Sequence, residues 1–550
     1  MNRDNLRLIL LLALGFVLFL IWEAWQQDYA PAAPAQTAAT TLTPNSAADV
    51  PSGATAQQPA PAATTTAAPA TPAALATAQR VHVVTDVLDV EIDTVGGDLR
   101  RLDLLAYPAV AGKPEPFRLM TEAASKLFVA QTGLLAGANG PDHHAQFKAE
   151  QAEYRLESGA NEIKVRLRWV SPEGVPVDKV YTFSRGSYEV KIEHQVHNTT
   201  QQELQGRVYG QFQRVEDTSS QSHFIYTYTG GVISSPENKY EKIDFGQMAE
   251  QNLSRDIVGG WAAMLQHYFV SAWIPPRDET SHYYTTTLKE GVDTPRYILG
   301  LVSAERGIKP GESATLGLTL YVGPKIQDHL KEVAPNLDLT VDYGMLTVLA
   351  QPLFWLLEYI HGVVKNWGWS IVLLTLLIKL VFYHLSAASY RSMANMRKLQ
   401  PRIMSIRERL GDDRQRMSQA MMELYKTEKI NPLGGCLPVL VQIPVFIALY
   451  WVLLESVELR QADFIFWLTD LSGKDPYYVL PLLMGITMFI QQKLSPAPPD
   501  PLQAKVMMAL PVIFTFFFAF FPSGLVLYWV VNNALSILQQ WHITRKIIKD

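Results

Sequence analysis

The sequence predicts a polytopic α-helical membrane protein, a five-helix core plus an N-terminal anchor, carrying a large extracytoplasmic β-domain. Three observations lead there: charge-free apolar runs in the last third of the chain, period-two alternation through its middle, and an Ala/Pro/Thr tract behind an apolar N-terminus. The mean hydropathy of +0.03 over 550 residues averages these regions and describes none of them. With 47 basic against 52 acidic side chains the net charge is -5, so the surplus of Lys and Arg that replaces phosphate counterions is missing and direct nucleic-acid recognition is not expected. Cys436 is the only cysteine, which excludes an intramolecular disulfide and a multi-cysteine metal site.

In chain order, residues 1–29 read as a transmembrane anchor: Leu8 to Trp22 is unbroken apolar sequence behind Arg3 and Arg7, with Trp22 and Trp25 suited to an interface. A cleaved signal peptide, cut near Tyr29 to Ala33, is the alternative. Residues 30–79 are Ala, Pro and Thr with almost no charge or large apolar side chain; such a segment buries too little surface to offset its ordering entropy and reads as a disordered linker. Alternation begins at Val81 to Asp93, meets Gly96-Gly97, and recurs at Glu162 to Val170, Val180 to Glu193 and Ala314 to Val322, with turns such as Ser171-Pro-Glu-Gly174 between. Residues 80–324 therefore read as a periplasmic β-sandwich domain. In the connecting segment 325–361, Met345, Leu346, Leu349, Leu353, Leu356 and Ile360 fall at helical spacing, as in an amphipathic helix lying flat at an interface or packed on the β-domain.

The core, residues 362–550, has five expected spans, at about 363–385, 432–454, 476–493, 506–521 and 524–542. The run 506–544 lacks charge for 39 residues, about twice the ~20 that one crossing needs, and Phe521-Pro-Ser-Gly524 supplies a turn in its middle. The loop 386–431 carries ten Lys/Arg against five acids, whereas 455–475 carries two against five. The positive-inside rule thus puts both termini and that loop in the cytoplasm, and residues about 30–361 outside. Within the loop, Met393, Met396, Leu399, Ile403, Ile406 and Leu410 share one helix face and Met417, Met421, Leu424 and Tyr425 another, a two-helix hairpin with a basic surface. Its Met side chains either seam the hairpin or accept apolar partners.

Polar residues inside the spans are the candidate site. Lys379 leads: a lysine at a helix centre costs about 2.5–3.5 kcal/mol, so it either snorkels to the headgroups or serves a function. Thr375 lies one turn earlier on the same face, Gln442 lies between Pro438 and Pro444, and Tyr528, Asn532 and Ser536 line one face of the last span, with Asn533 beside them. Such groups are either glue in a tight bundle or the lining of a wet cavity. No glycine-rich phosphate loop, H-E-x-x-H or G-x-S-x-G occurs, and neither cofactor nor metal is expected; His143-His144 reads as a surface loop.

The stretch LQPRIMSIRERLGDDRQRMSQAMMELYKTEKINPLGGCLPVLVQIPVFIALYWVL (399–453), with DLSGKDPYYVLP and FPSGLVLYW downstream, closely resembles the YidC family of membrane protein insertases, which has mitochondrial and chloroplast relatives. The single anchor and large extracytoplasmic domain resemble the six-span form of diderm bacteria. The resemblance implies a β-supersandwich periplasmic domain similar in fold to sugar mutarotases, and a location in the bacterial inner membrane. It also implies a hydrophilic inner-leaflet groove with one basic residue on the second span, here Lys379, where many relatives have Arg. Thr375 and Trp529 match positions regarded as important in relatives, and Phe446 and Phe517 fall where substrate helices are thought to pass. The partners implied are nascent membrane proteins, the Sec translocon and its accessory subunits, membrane lipids, and ribosome or signal recognition components at the cytoplasmic hairpin. Two other readings remain at this level: a solute transporter, or a membrane-anchored carbohydrate-binding module.

Overall fold

The computed structural model describes residues 49–51, 75–137, 139–217, 227–289, 294–410, 413–428, 437–495 and 501–549. The expected anchor, residues 1–29, lies outside these, as does most of the linker. The described residues fall into two compact units, one of Pro44–Phe354 with Ala448–Lys474, the other of Trp355–Ile447 with Asp475–Asp550.

The first unit is built on two large antiparallel-rich sheets. One, of eleven strands, runs Ser254–Val258, Thr280–Leu288, Arg296–Val302, Leu204–Val215, Phe128–Leu135, Leu99–Pro108, Leu88–Asp93, Arg80–Val84 and Glu153–Arg155, with two further strands paired off that path. The other, of nine, is centred on Phe269–Ile274, Ser313–Pro324, Glu189–His197 and Pro176–Ser184. Alternation in the sequence becomes alternation in burial: Val190, Ile192, His194 and Val196 point inward while Glu189, Lys191 and His197 face solvent. Trp261, Trp273, Tyr181, Tyr209, Phe183 and Phe212 fill the interior.

Two expected strands are each divided. Val81 to Asp93 turns at Asp86-Val87, and Val180 to Glu193 turns at Arg185-Gly186-Ser187, because Gly186 takes φ +69°, a conformation that favours glycine, and its N–H donates to the Asp86 carboxylate at 2.9 Å. Across each turn the buried positions pass from odd (Val81, Val83; Tyr181, Phe183) to even (Leu88, Val90; Val190, Ile192), a change of phase that a single continuous strand does not show.

The unit also holds buried polar groups. Asp98 and Arg100 pair at 3.1 Å, Gln131 donates to Asp98 at 2.9 Å, Gln211 donates to Gln131 at 3.0 Å, and Lys179 Nζ donates to the carbonyls of Gly96 and Thr132, each at 2.7 Å. Residues 448–474 belong to this unit through named contacts. His267 Nε2 lies 3.0 Å from the carbonyl of Leu454, and Arg460 and Gln461 both donate to the carbonyl of Pro108, at 2.6 and 2.9 Å.

The second unit is helical: α1 (Thr347–Val364), α2 (Trp367–Val381), α3 (Tyr383–Leu410), α4 (Arg414–Thr427), α5 (Leu437–Glu455), α6 (Val479–Leu494), α7 (Pro501–Phe518) and α8 (Ser523–Lys549), with the start of α1 and the end of α5 reaching into the first. The Asn366 side chain caps α2 by accepting the Trp369 N–H at 3.0 Å. At Phe382 the chain bends by 68° and α3 begins, so residues 383–385, expected at the end of a span, lie in the first turn of α3. Polar His384, Ser386 and Ser389 follow directly, where the apolar sequence stops. Helix α8 packs on α2, α3 and α6, and α6 packs on α7. Gly485 makes that last approach close, since a Cβ there would collide with Thr515.

By length and apolar composition Gly344–Val364 is sufficient to cross a membrane, whereas Val441–Glu455, Val479–Leu494 and Lys505–Phe518 are shorter apolar helices. The first of these covers the segment that sequence spacing places flat at an interface or on the β-domain. Its Trp355, Tyr359 and Val363, four residues apart, are all exposed. In the hairpin, every residue of the expected seam from Met393 to Leu410 is buried or half-buried, Met417 is buried, and Met404 and Met422 face outward. Some methionines thus lie in the seam and others on the outer surface. Arg402 on α3 and Glu428 beyond α4 form an ion pair.

Candidate functional site: a lysine-centred polar cluster

The helical unit inverts the usual arrangement of a soluble fold. Leu380 and Val381 on α2, Leu482 and Ile486 on α6, and Val512, Ile513 and Phe516 on α7 are exposed, while Ser370, Thr375, Lys379, Asn533, Ser536 and Gln540 are buried. Exposed apolar surface on this scale marks a surface made for lipid or for another chain.

Lys379 lies in the last turn of α2, where the helix dipole favours a cation. Its side chain is only 9% exposed, so it does not reach outward, and Nζ donates to Ser536 Oγ at 2.8 Å. Ser536 in turn donates to the carbonyl of Asn532 at 2.7 Å. The hydroxyl thus spends its proton on its own helix and offers a lone pair to the ammonium, an arrangement that orients the lysine. Among the described residues this bond occupies one of three ammonium protons, and two remain for an incoming acceptor.

Thr375 is fully buried one turn before, its hydroxyl turned back to the carbonyl of Ile371 at 2.6 Å. Gln442 on α5 donates to Ser386 on α3 at 3.3 Å. Phe446 stacks on Tyr528 with centroids 5.9 Å apart and meets Trp529 edge-on at 5.0 Å. Phe446 and Lys379 thus meet α8 at two places, an aromatic one at Tyr528 and Trp529 and a polar one at Ser536, eight residues or about 12 Å apart by helical rise, whereas Thr375 and Gln442 bond to α2 and α3.

Several contributors escaped the sequence reading. Phe518, next to the expected Phe517, packs on Trp529 at 5.2 Å, while Phe517 is 40% exposed and touches Phe518 and Phe521. Thr487 accepts from Asn533 at 3.4 Å, and Tyr390 reaches Ser536 from α3. Gln540, buried four residues past Ser536, continues the stripe 528, 532, 536, and extending that periodicity one step would have found it. Ser386 and Tyr390 carry no such signal, because only the packing of α3 brings Ser386 to Gln442 on α5 and Tyr390 to Ser536 on α8.

Comparison with known proteins accounts for nearly the whole chain. The family model described as YidC periplasmic domain matches residues 80–356, and that described as 60Kd inner membrane protein matches 359–550. The membrane protein insertase YidC of Thioalkalivibrio sulfidiphilus is 52% identical over 561 residues, covering 99% of each chain, and that of Nitrosococcus oceani is 52% identical over 554 residues, covering 100% of each. Among solved structures, one described as active YidC insertase with the first transmembrane domain resolved is similar at 17% identity and a TM-score of 0.38, covering 84% of this chain and 92% of that one. Family models over residues 80–356 and 359–550, together with relatives 52% identical along their full length, establish that the chain belongs to the YidC family of membrane protein insertases.

Proposed function

We propose that this chain inserts other membrane proteins into the bilayer and helps them fold, alone or beside the Sec translocon and its accessory subunits, without covalent chemistry of its own. The observation that carries the reading is Lys379, held inward by Ser536 within an otherwise lipid-suited bundle. A nascent chain's polar tail must cross a hydrocarbon layer in which each charge is costly. A buried ammonium with protons to spare offsets the desolvation of an acidic tail, and burial of the new helix in lipid, at roughly 25 cal/mol per Å² of apolar area, makes the overall step favourable.

Helix length works in the same direction. Helices α2 and α6 have 15 and 16 residues, rising about 23–24 Å at ~1.5 Å each, short of the ~30 Å hydrocarbon core. Such mismatch thins the bilayer locally and shortens the apolar path. In this reading both termini and the α3–α4 hairpin are cytoplasmic, the hairpin receives substrate from ribosome or signal recognition components, and the β-rich unit is periplasmic. Thr375, Gln442, Tyr528, Trp529, Asn532 and Ser536 line the groove, and Phe446 and Phe517 meet the departing substrate helix.

Insertion of a single-span substrate with an acidic translocated tail into proteoliposomes tests this. Lys379→Arg should insert at close to the wild-type rate, Lys379→Ala several-fold more slowly, and Lys379→Glu at least tenfold more slowly. Wild-type rates for both Ala and Glu variants would remove the electrostatic basis of the reading.

A further inference from the structure

Within the β-rich unit, three side chains far apart in sequence converge. Asp49, from the Ala/Pro/Thr tract, lies against His143 and His144, on the loop after the Phe128–Leu135 strand. The sequence reading placed this pair on a surface loop with no metal in view; the structure instead buries His143 to 1% exposure and leaves His144 part-exposed. Asp49 Oδ2 is 3.2 Å from His143 Nε2, Asp49 Oδ1 is 3.0 Å from His144 Nε2, and one ligand atom from each residue lies within 4.8 Å of the others.

The surroundings orient the His143 ring. Its Nδ1 is 2.6 Å from the Tyr209 hydroxyl, which also accepts the His143 peptide N–H at 2.9 Å. The hydroxyl can accept from or donate to Nδ1; when Nδ1 carries the ring proton, Tyr209 takes both N–H groups and the Nε2 lone pair faces Asp49. Nε2 is buried and makes no hydrogen bond among the described residues, although a carboxylate oxygen lies 3.2 Å away. In that tautomer a lone pair faces a carboxylate oxygen 3.2 Å away, a repulsion that a cation between them relieves. The separation also matches the ~3.3 Å edge of a tetrahedron whose centre-to-corner distance is about 2.0 Å, the length of Zn–N and Zn–O bonds.

The frame around the three residues is firm. Asp142 accepts the His144 peptide N–H at 2.9 Å, Gly96 N–H donates to the carbonyl of Ala145 at 2.8 Å, and Gln211 Nε2 donates to the carbonyl of Asp49 at 3.1 Å. Gly96, at φ +73°, lies so close to the His143 carbonyl that a Cβ would collide with it. The Tyr209 bond to the ring nitrogen opposite the ligating one is the outer-shell contact that metal-binding histidines ordinarily have.

We propose that Asp49, His143 and His144 bind a divalent transition-metal ion of the zinc class, with solvent completing the coordination on the exposed His144 side. Two imidazoles and one carboxylate suit such an ion and not magnesium or calcium, which take oxygen ligands. The ion would pin the Ala/Pro/Thr tract at residue 49. The inference does not depend on the insertase reading.

The test uses full-length, tag-free protein in lipid nanodiscs, stripped with chelator and titrated with zinc by calorimetry in millimolar magnesium. One zinc per chain should bind with micromolar or tighter affinity, and Asp49→Asn and His144→Ala should each weaken it at least tenfold. Neither change removes buried apolar packing, and circular dichroism checks the fold. Cobalt should give visible absorption in the wild type that both variants lose, and zinc should slow hydrogen exchange at residues 49–51. Absence of a saturable site, or unchanged zinc affinity in either variant, overturns the proposal.

Discussion

Lys179 shows what a single buried charge does in the β-rich unit. Burial pushes its ammonium down to about 7, against the pull of Asp98. The neutral amine still has two N–H groups, enough for the carbonyls of Gly96 and Thr132. Since the unfolded lysine titrates near 10.4, the unfolded chain binds the extra proton between pH ~7 and ~10, and folding stability rises with pH across that window. Below it the charged lysine is buried at full cost. Thermal unfolding followed from pH 6 to 9 should show this increment in the wild type and lose it in Lys179→Met, whatever the offset between the two proteins. That variant should also be less stable by about 1–3 kcal/mol at pH 9, because two buried carbonyls lose their donors.

Among the elements, two features set helix ends and helix contacts. The last carbonyls of α5 have no intrahelical donor, and His267 supplies one to Leu454. Burial, with Lys325 nearby, pushes the His267 imidazole down to about 3, so it is neutral and its Nε2–H is free to donate. Arg460 holds the following loop by its bond to Pro108 while lying over the rings of Phe117 and Phe269. The double variant His267→Ala/Arg460→Ala should raise amide hydrogen exchange through residues 455–474 at least tenfold while leaving the Glu189–His197 strand protected. In the helical unit, Gly485→Leu should force α6 from α7 at Thr515 and lower the thermal midpoint, at a cost of about 1–3 kcal/mol for overpacking, more than Gly485→Ala.

For the whole molecule the question is where substrate passes. Photocrosslinkers at Phe446 and Phe517 should both capture a stalled nascent membrane protein, and Phe517, the more exposed ring of the pair Phe517 and Phe518, should do so more efficiently than Phe518. Adducts confined to outward methionines such as Met404 and Met422 would move the path to the hairpin. The division of the chain makes removal of residues 81–320 informative in a new way, because Ala448–Lys474 belongs to the β-rich unit. Substantial insertion should survive the deletion, with a lowered thermal midpoint, since the loop between α5 and α6 loses the accepting Pro108 carbonyl and the Phe117 and Phe269 rings that hold Arg460.

By itself the sequence determined the class of protein, a β-rich unit ahead of a helical one, the helical hairpin at Phe521-Pro-Ser-Gly524 and the stripe on α8. Each rests on periodicity or composition along one element, and hydrophobic burial enforces such patterns locally. It also singled out Lys379, because an ionisable residue in an apolar run is costly wherever it folds. Only the tertiary structure decided which way that lysine points. Ser536 lies 157 positions away, and the choice between snorkelling and inward capture depends on the packing of α2 against α8. The same holds for Phe518 rather than Phe517 on Trp529, for Leu454 capped by His267, and for Asp49 beside the two histidines. Each is a meeting of residues from different elements, and distance in space between elements is set by packing, which no pattern along a single segment encodes.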